Sequence, residues 1–283
     1  MSDQVETGYA PVAGSKLYYE RKGSGTPVVL IHSGFLDRRQ WDPQFESYSS
    51  QFSVIRYDIR GHGRSPPGAI PYVDADDLRA LFDHLGLAHA FVIGNSNGAR
   101  TASGFAAGSP DRVRGLVLVG GLPGDLDPSQ EEERRFADSL PQRDERILAL
   151  AKADKVGEAV DVMLDAWAPA VDDSTRAYLR IIATDNFAAL IALRTGQFQN
   201  RPPSYPVAEA LRTGPIPIQL ICGEQDHPAL EMMMGRFAQQ LPHGRFVRLV
   251  GADHTANLSD RVEFDRVVLD FLATTSPRGG TAA

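Results

Sequence analysis

A serine lies between two glycines in the run Gly94-Asn95-Ser96-Asn97-Gly98, directly after an apolar stretch and before a series of small residues. If a strand ends and a helix begins at this point, Ser96 is held on a sharp turn where only small neighbours fit. The helix start would also direct backbone N–H groups and a partial positive charge at the serine oxygen. The pattern predicts Ser96 as a nucleophile, although an ordinary glycine–serine turn has the same signature.

A serine hydroxyl needs a base to take its proton, and His254 is the histidine placed for that role. It follows the last predicted strand, and imidazole titrates near neutral pH. Asp226 follows the penultimate strand, from which its carboxylate could bind the other ring nitrogen of the base. Asp226 also suits the N-cap of a helix starting at Pro228, so Glu224 and Asp125 remain alternatives for the acid.

The run His32-Ser33-Gly34-Phe35 follows another buried strand. A glycine there lets backbone N–H groups approach a substrate oxygen. The N–H of Asn97, with that of either Gly34 or Phe35, is predicted to stabilise an oxyanion, at about 3 to 4 kcal/mol of barrier height per donor. We interpret His32 as a structural hydrogen-bonding residue under this loop and not as the base.

These candidates need a scaffold, and short apolar runs alternate with helical patterns along most of the chain. Strands are predicted at 17–20, 28–32, 53–58, 90–94, 116–120, 216–222 and 246–250. The alternation predicts an α/β fold with a mostly parallel central sheet and helices on both faces. Ligands bind such sheets beyond the carboxyl ends of the strands, where every candidate above is placed.

The alternation of strands and helices is interrupted between 123 and 206. Only helices are predicted there, at 129–140, 145–151, 157–167 and 174–193. A segment of this length is too long for a plain connection. We predict a helical lid at 123–206 on a core formed by 1–122 and 207–273, with a flexible tail at 274–283. Aromatic residues are expected to close an apolar pocket; the candidates are Trp41, Phe136, Trp167 and Phe187.

The order nucleophile, acid, base, each after a strand, resembles the lidded α/β-hydrolases of the esterase, lactonase and C–C hydrolase type. Trp41 after the His-x-Gly loop and the run Asp-Ile-Arg-Gly-His-Gly-Arg-Ser at 58–65 strengthen the resemblance, which covers all but the predicted lid. In that family the run is a structural turn, so Asp58 and Arg60 are interpreted as scaffold. The resemblance implies hydrolysis of a carboxylic ester, lactone or related acyl compound through an acyl-enzyme, without a cofactor.

Two positions depart from the family pattern. Ser33 separates His32 from Gly34, where most relatives have His-Gly, and Asn97 stands where many have Met or Gln. Haloalkane dehalogenases and epoxide hydrolases use an aspartate nucleophile, and Ser96 argues against both. Related folds also perform lyase, acyl-transfer or cyclisation chemistry or act as hormone receptors, and these remain the alternative functions.

Composition narrows the class of protein further. The 283 residues are 42% hydrophobic and 23% charged, which is typical of one folded domain. The net charge of −7 disfavours binding to the phosphate backbone of nucleic acids. The single cysteine excludes an internal disulfide, and scattered histidines predict no metal site. The first residues lack a secretory signal, and the apolar runs are too short to cross a bilayer. We therefore expect a cytoplasmic protein with a small-molecule acyl substrate and no membrane partner, its oligomeric state left open.

Overall fold

The computed structural model describes residues 4–68, 71–126, 131–198 and 200–275, without the side chains at 132–133, 135–137 and 139–143. One eight-stranded sheet forms the centre, in the order β1-β2-β4-β3-β5-β6-β7-β8. The strands are β1 (Glu6–Val12), β2 (Ser15–Lys22), β3 (Pro27–Ile31), β4 (Ser53–Tyr57), β5 (Ala90–Asn95), β6 (Val113–Val119), β7 (Ile218–Gly223) and β8 (Gly244–Leu249). β2 is antiparallel to both of its neighbours, and all pairs from β4 to β8 are parallel.

Helices connect the strands. They are α1 (Asp42–Tyr48), α2 (Asp74–His84), α3 (Asn97–Gly108), α4 (Glu131–Lys152), α5 (Val156–Trp167), α6 (Asp173–Asp185), α7 (Phe187–Arg194), α8 (Val207–Thr213), α9 (Pro228–Gln239), α10 (Ala256–Ser259) and α11 (Arg261–Thr275). Over the described ranges, none of them combines the length and apolar character that crossing a bilayer requires. Of the predicted tail, 274–275 end α11 and 276–283 lie outside the described residues.

The alternating side chains of the buried strands divide between two apolar layers. On β3, Val29 and Ile31 join a cluster with residues of α2 and α3, whereas Val28 and Leu30 join one with residues of α1 and α11. This follows from the two-residue period of a strand, which turns successive side chains to opposite faces. The predicted fold, a mostly parallel sheet with helices on both faces, is confirmed.

The hairpin strand β1 was not predicted. It pairs antiparallel with β2 at the edge of the sheet, and Ala10 is its only buried residue. An edge strand that buries one small side chain has no apolar run to reveal it, so hydrophobic patterning misses it.

Helices α4 to α7, which we call the helical block, lie in the chain between β6 and β7. They have an apolar cluster of their own, which includes Leu164, Ile182 and Leu190 and also takes in Phe35 and Leu36 from the loop after β3. The two helices predicted at 129–140 and 145–151 correspond to the single helix α4 (Glu131–Lys152). Whether the block acts as a lid stays a prediction.

The helix predicted at 174–193 is divided at Asn186, between α6 and α7. The buried Asn186 amide donates to Asp37 Oδ2 (2.9 Å) and to Ile182 O (2.8 Å), and its oxygen accepts from Gly63 N (2.8 Å). These bonds join the helical block to the loops after β3 and β4, so a contact between distant segments decides where the helix ends.

Arg60 forms a buried ion pair that holds the loop after β4. Its guanidinium donates to both Asp77 oxygens (2.8 and 2.6 Å) and to Ala13 O (2.9 Å). We expect Arg60→Met to lower the free energy of unfolding by about 3 to 5 kcal/mol, because Asp77 is left buried without a partner. Arg79→Met is the control: it breaks the exposed pair with Asp76 on the same helix, worth at most about 1 kcal/mol. Urea unfolding measures both, and equal losses would contradict this account.

Candidate active site

Ser96 occupies the turn between β5 and α3, with φ 55° and ψ −111°. Positive φ is uncommon outside glycine, and such strain persists where the surrounding structure enforces it, often at functional sites. A Cβ on Gly94 would lie 2.2 Å from Gly98 O, and one on Gly98 would lie 2.3 Å from Ile31 O. The two glycines of the motif are therefore required by close backbone contacts. Ser96 N donates to Val119 O (2.8 Å), which fixes the turn to β6.

His254 and Asp226 are joined by a buried hydrogen bond. His254 lies between β8 and α10 and Asp226 directly after β7, and Nδ1 is 2.7 Å from Asp226 Oδ2. An ionised carboxylate only accepts, so Nδ1 carries the proton and Nε2 is the nitrogen able to take one from a hydroxyl. The ring of Trp167 lies against the imidazole, with centroids 4.4 Å apart. The arrangement fixes the tautomer and the orientation of the imidazole, as the role of a general base would require.

The helix-capping role considered for Asp226 belongs to its neighbour. His227 is the N-cap of α9, and its Nδ1 accepts from Ala229 N (3.2 Å). Asp226 instead directs Oδ2 at the imidazole, while its Oδ1 accepts from His227 N (2.8 Å). The carboxylate is thus bonded at both oxygens and held against the base.

The alternative acids lie elsewhere. Glu224 pairs with Arg248 (2.9 Å) near the surface, and Asp125 accepts from Ala208 N at the start of α8 (3.1 Å). Asp253, adjacent to the base, accepts from Ala170 N (2.9 Å) and so joins this loop to the helical block. In the described part of the chain the carboxylate bonded to the imidazole of His254 is that of Asp226, and neither the two alternative acids nor Asp253 forms a hydrogen bond or ion pair with this ring.

The loop after β3 contains two backbone N–H groups that could act as donors to a substrate. Ser33 N donates to Gln40 Oε1 (2.8 Å) and Leu36 N to Ser33 O (3.3 Å), whereas within the described residues the N–H groups of Gly34 and Phe35 have no assigned acceptor. The loop lies against α3, because a Cβ on Gly34 would be 3.3 Å from Asn97 Cβ. Asn97 N belongs to the first helical turn, whose N–H groups have no intrahelical acceptor. The predicted donors are therefore neighbours.

A buried amide network lies beneath these loops, and the sequence did not reveal it. Asn95 Nδ2 donates to His254 O (2.9 Å) and its Oδ1 accepts from Gln40 Nε2 (2.6 Å). Gln40 in turn binds Ser33 N, and Asn257 Nδ2 donates to Gln40 O (3.0 Å). The network connects the turn at Ser96, the loop that contains His254 and the loop after β3. The only signal was an amide at the second position of the Gly-x-Ser-x-Gly motif.

A cleft of about 550 Å³ brings the predicted residues together. Its wall includes Ser96, Asn97, Gly34, Phe35, Trp167 and His254. Leu122, Leu190 and Leu230 add apolar surface, and Arg100, Asp144 and Arg194 add charge; none of these six was predicted. Asp226 lies behind His254, where it is buried.

Two of the aromatic residues predicted to line the pocket lie elsewhere. Trp41 is fully buried between the sheet and α11, with its ring 6.1 Å from that of Phe264. Phe187 is buried in the core of the helical block. Both predictions are corrected. A large apolar ring stabilises the folded protein more when it is fully removed from water in a core than when it lines an open cleft. The side chain of Phe136 lies outside the described residues.

His32 is a buried neutral histidine. Its Nε2 accepts from Ile59 N (2.8 Å), and Nδ1 lies 2.8 Å from Ser33 O. Burial, with a smaller contribution from neighbouring His62, lowers the pKa of His32 from 6.5 to about 3. Both ring nitrogens are engaged in holding backbone, as a structural residue requires.

This pKa gives a pH-dependent stability. Between pH 6.5 and about 3 the unfolded state binds a proton at His32 that the folded state does not, so the free energy of unfolding falls as pH falls. Across this pH window we expect the free energy of unfolding to fall by on the order of 4 kcal/mol more in the wild type than in His32→Gln. The buried carboxylates are shared by both proteins and cancel in the difference, apart from Asp37, whose pKa the neighbouring His32 helps to lower. Chemical unfolding at a series of pH values measures it, and parallel curves would contradict it.

Over the described residues, no group of three His, Cys, Asp or Glu side chains is arranged to hold a metal ion. Cys222 is buried in β7, and burial raises the pKa of its thiol. A protonated thiol within a strand packs as a small apolar side chain.

Comparison with known proteins identifies the fold family. Residues 26–260 match the family model of the alpha/beta hydrolase fold. The chain is similar to a protein of Caulobacter vibrioides named as a carbamate hydrolase, with 38% identity over 37% of this chain and 42% of that one. It is also similar to the zearalenone hydrolase of Cladophialophora bantiana, with 32% identity over 54% and 58%. Both matches span less than two thirds of those relatives. The structure of the enol-lactonase from Burkholderia xenovorans LB400 superposes with a TM-score of 0.73 at 26% identity, covering 94% of this chain and 100% of that one.

Proposed function

We propose that this chain, which belongs to the α/β-hydrolase fold family, is a serine hydrolase that cleaves a carboxylic ester, a lactone or a related acyl compound. The observation that carries the proposal is the buried hydrogen bond between His254 and Asp226, because His254 lines the same cleft as the strained Ser96. An oriented base beside a nucleophile is the constellation that acyl transfer to serine requires.

In the proposed mechanism, Ser96 Oγ attacks the substrate carbonyl while His254 Nε2 takes the hydroxyl proton. Asp226 stabilises the imidazolium through Nδ1. The N–H groups of Asn97 and of Gly34 or Phe35 stabilise the oxyanion. When the tetrahedral intermediate collapses, the leaving oxygen takes the proton from His254 and the acyl-enzyme remains. His254 then removes a proton from water as the water attacks the ester carbonyl. When this second tetrahedral intermediate releases the acid, Ser96 Oγ takes the proton back from His254.

The helical block is proposed as a lid over this reaction. Trp167 of α5 and Leu190 of α7 contribute to the cleft wall beside His254, and Asp253 ties the block to the histidine loop. The resulting apolar surface would exclude water from the oxyanion and strengthen its stabilisation.

The names of the similar proteins support an acyl substrate. A lactone and a carbamate both have a carbonyl carbon bonded to a leaving heteroatom, and the similar proteins include an enol-lactonase and a carbamate hydrolase. Attack on such a carbonyl is what a serine, a base and two N–H donors accomplish.

Labelling with an alkyl fluorophosphonate tests the proposal. Ser96 Oγ should displace fluoride and form one phosphonate ester, seen as a single mass increase that peptide mapping places on Ser96. The acid-unfolded protein serves as control and should not react. A panel of esters, lactones, amides and epoxides, assayed with and without an added alcohol acceptor, then defines the reaction. Absence of labelling, or labelling at another residue, would refute the nucleophile.

A further inference from the structure

Arg100 lies one helical turn after the proposed nucleophile. Its N–H donates to Ser96 O (3.1 Å), the bond expected for the carbonyl of an N-cap residue. Arg100 contributes to the wall of the cleft that contains Ser96 and His254. A group bound by its guanidinium would therefore lie in the same cleft as the carbonyl that Ser96 attacks.

The side chain of Arg100 is held by neutral contacts. Nη2 donates to Asn97 Oδ1, and a Cβ on Gly124 would lie 2.9 Å from Arg100 Cδ, so the aliphatic stem packs closely on backbone. Within the described residues no carboxylate pairs with Arg100, whereas the other arginine of the cleft, Arg194, donates to Asp144 Oδ1 (2.6 Å). Asp144 and Arg194 form an ion pair, whereas the carboxylate that interacts electrostatically with Arg100, Asp74, lies in the wall of the neighbouring cavity that Arg100 also lines. Arg100 therefore brings a positive charge without an ion-pair partner into the cleft wall.

This charge has the opposite sign to the protein, which carries a net charge of −7. An acidic protein repels anionic ligands at long range, so a cation retained beside the reacting centre favours a ligand with negative charge at that point. A guanidinium presents a planar fork of N–H donors that matches a carboxylate in two parallel hydrogen bonds.

We propose that Arg100 selects acyl substrates that carry a carboxylate separated from the reacting carbonyl by a short chain, such as half-esters of dicarboxylic acids and lactones with a carboxylate substituent. This inference rests on the proposed serine hydrolase function. Arg100 binds the substrate carboxylate and so fixes the carbonyl beside Ser96; it takes no part in proton transfer.

The test compares two esters that differ only at the far end of the acyl chain: the mono-4-nitrophenyl ester of adipic acid, and 4-nitrophenyl hexanoate. The measured quantity is the ratio of kcat/KM for the anionic ester to that for the neutral one. We expect Arg100→Gln to lower this ratio by about 10- to 100-fold, mainly through KM, as loss of a charged hydrogen bond requires. Arg100→Lys should recover part of it, since the charge remains but the fork is lost.

Arg201→Gln is the matched control. Arg201 lies in the wall of a neighbouring cavity of about 500 Å³ and not in that of the cleft, so its loss removes the same charge nearby without removing the contact. The ratio should then stay within twofold of the wild type. An unchanged ratio in Arg100→Gln, or an equal fall in Arg201→Gln, overturns the inference. If the wild type hydrolyses the neutral ester while the ratio fails to respond, only the role of Arg100 is lost. If it hydrolyses neither ester but the fluorophosphonate labels Ser96, the inference falls and the proposed nucleophile stands. If it hydrolyses neither ester and Ser96 is not labelled, the proposed function falls as well.

Discussion

Replacing Ser96 with alanine is expected to lower kcat for a 4-nitrophenyl ester by about five to six orders of magnitude, the loss typical of a nucleophile that acts as one unit with its base. Without Oγ no acyl-enzyme forms, and His254 has no hydroxyl to deprotonate. A slow residual hydrolysis would remain, in which water attacks the substrate directly with the help of the oxyanion donors. Because the cleft wall is unchanged, KM should change little, and steady-state kinetics at high enzyme concentration resolve both constants.

Ser103→Ala is the matched control for this loss. Ser103 lies in α3, the helix that begins directly after Ser96, and its hydroxyl donates to Ala99 O (2.8 Å) in the buried interior, away from the cleft. The substitution also removes one serine hydroxyl and should keep kcat within about twofold, because Ser103 does not line the cleft. The lost neutral hydrogen bond costs only about 1 kcal/mol of stability. If Ser96→Ala kept a tenth of the wild-type kcat, serine catalysis would be excluded.

The buried strands and the serine turn could be predicted because their signals are local. An apolar β-branched run, two glycines around Ser96 and the carboxyl end of a strand all lie within a few residues. The same locality placed Asp226 and His254 at strand ends, and parallel pairing brought those ends to one edge of the sheet. Their approach to 2.7 Å follows from the topology of the fold.

What sequence reasoning missed depends on contacts between distant segments. Asn186 divides a helix because Asp37 and Gly63 bind its side chain, and no periodicity within the helix encodes that contact. Trp41 was read as a pocket residue, but the fold places it against Phe264, more than two hundred residues away in the chain. Exposure to the cleft is set by such packing and cannot be read from residue type.

The unpredicted amide network has the same origin. Asn95 and Gln40 are ordinary polar residues in the sequence, and only the fold buries them between the serine turn and the histidine loop. A buried amide costs free energy unless its donors and acceptors are satisfied. The network therefore specifies one arrangement of three loops, which is the rigid support that a preorganised site needs.

The acid of the proposed site is tested by Asp226→Asn, for which we expect a fall of about 10⁴ in kcat with the fold preserved. An amide is close to a carboxylate in size but neutral, and it can present an N–H to Nδ1. The imidazole would then place its proton on Nε2, where it cannot accept one from Ser96, and the imidazolium formed in the transition state would lose its counter-charge. Both effects act on kcat, so KM should stay near its wild-type value.

Glu224→Gln gives the comparison that makes the result specific. Glu224 is also a carboxylate just beyond β7, and its partner is Arg248, so the same chemical change two residues away leaves the pair of Asp226 and His254 intact. Its activity should remain within about threefold of the wild type, since a partly exposed ion pair contributes at most about 1 kcal/mol. A large loss in Glu224→Gln with little loss in Asp226→Asn would move the acid to Glu224 and require the loop after β7 to rearrange in solution. Equal, small losses in both would mean that His254 acts without a carboxylate partner, and the 2.7 Å contact would then serve only to hold the loop.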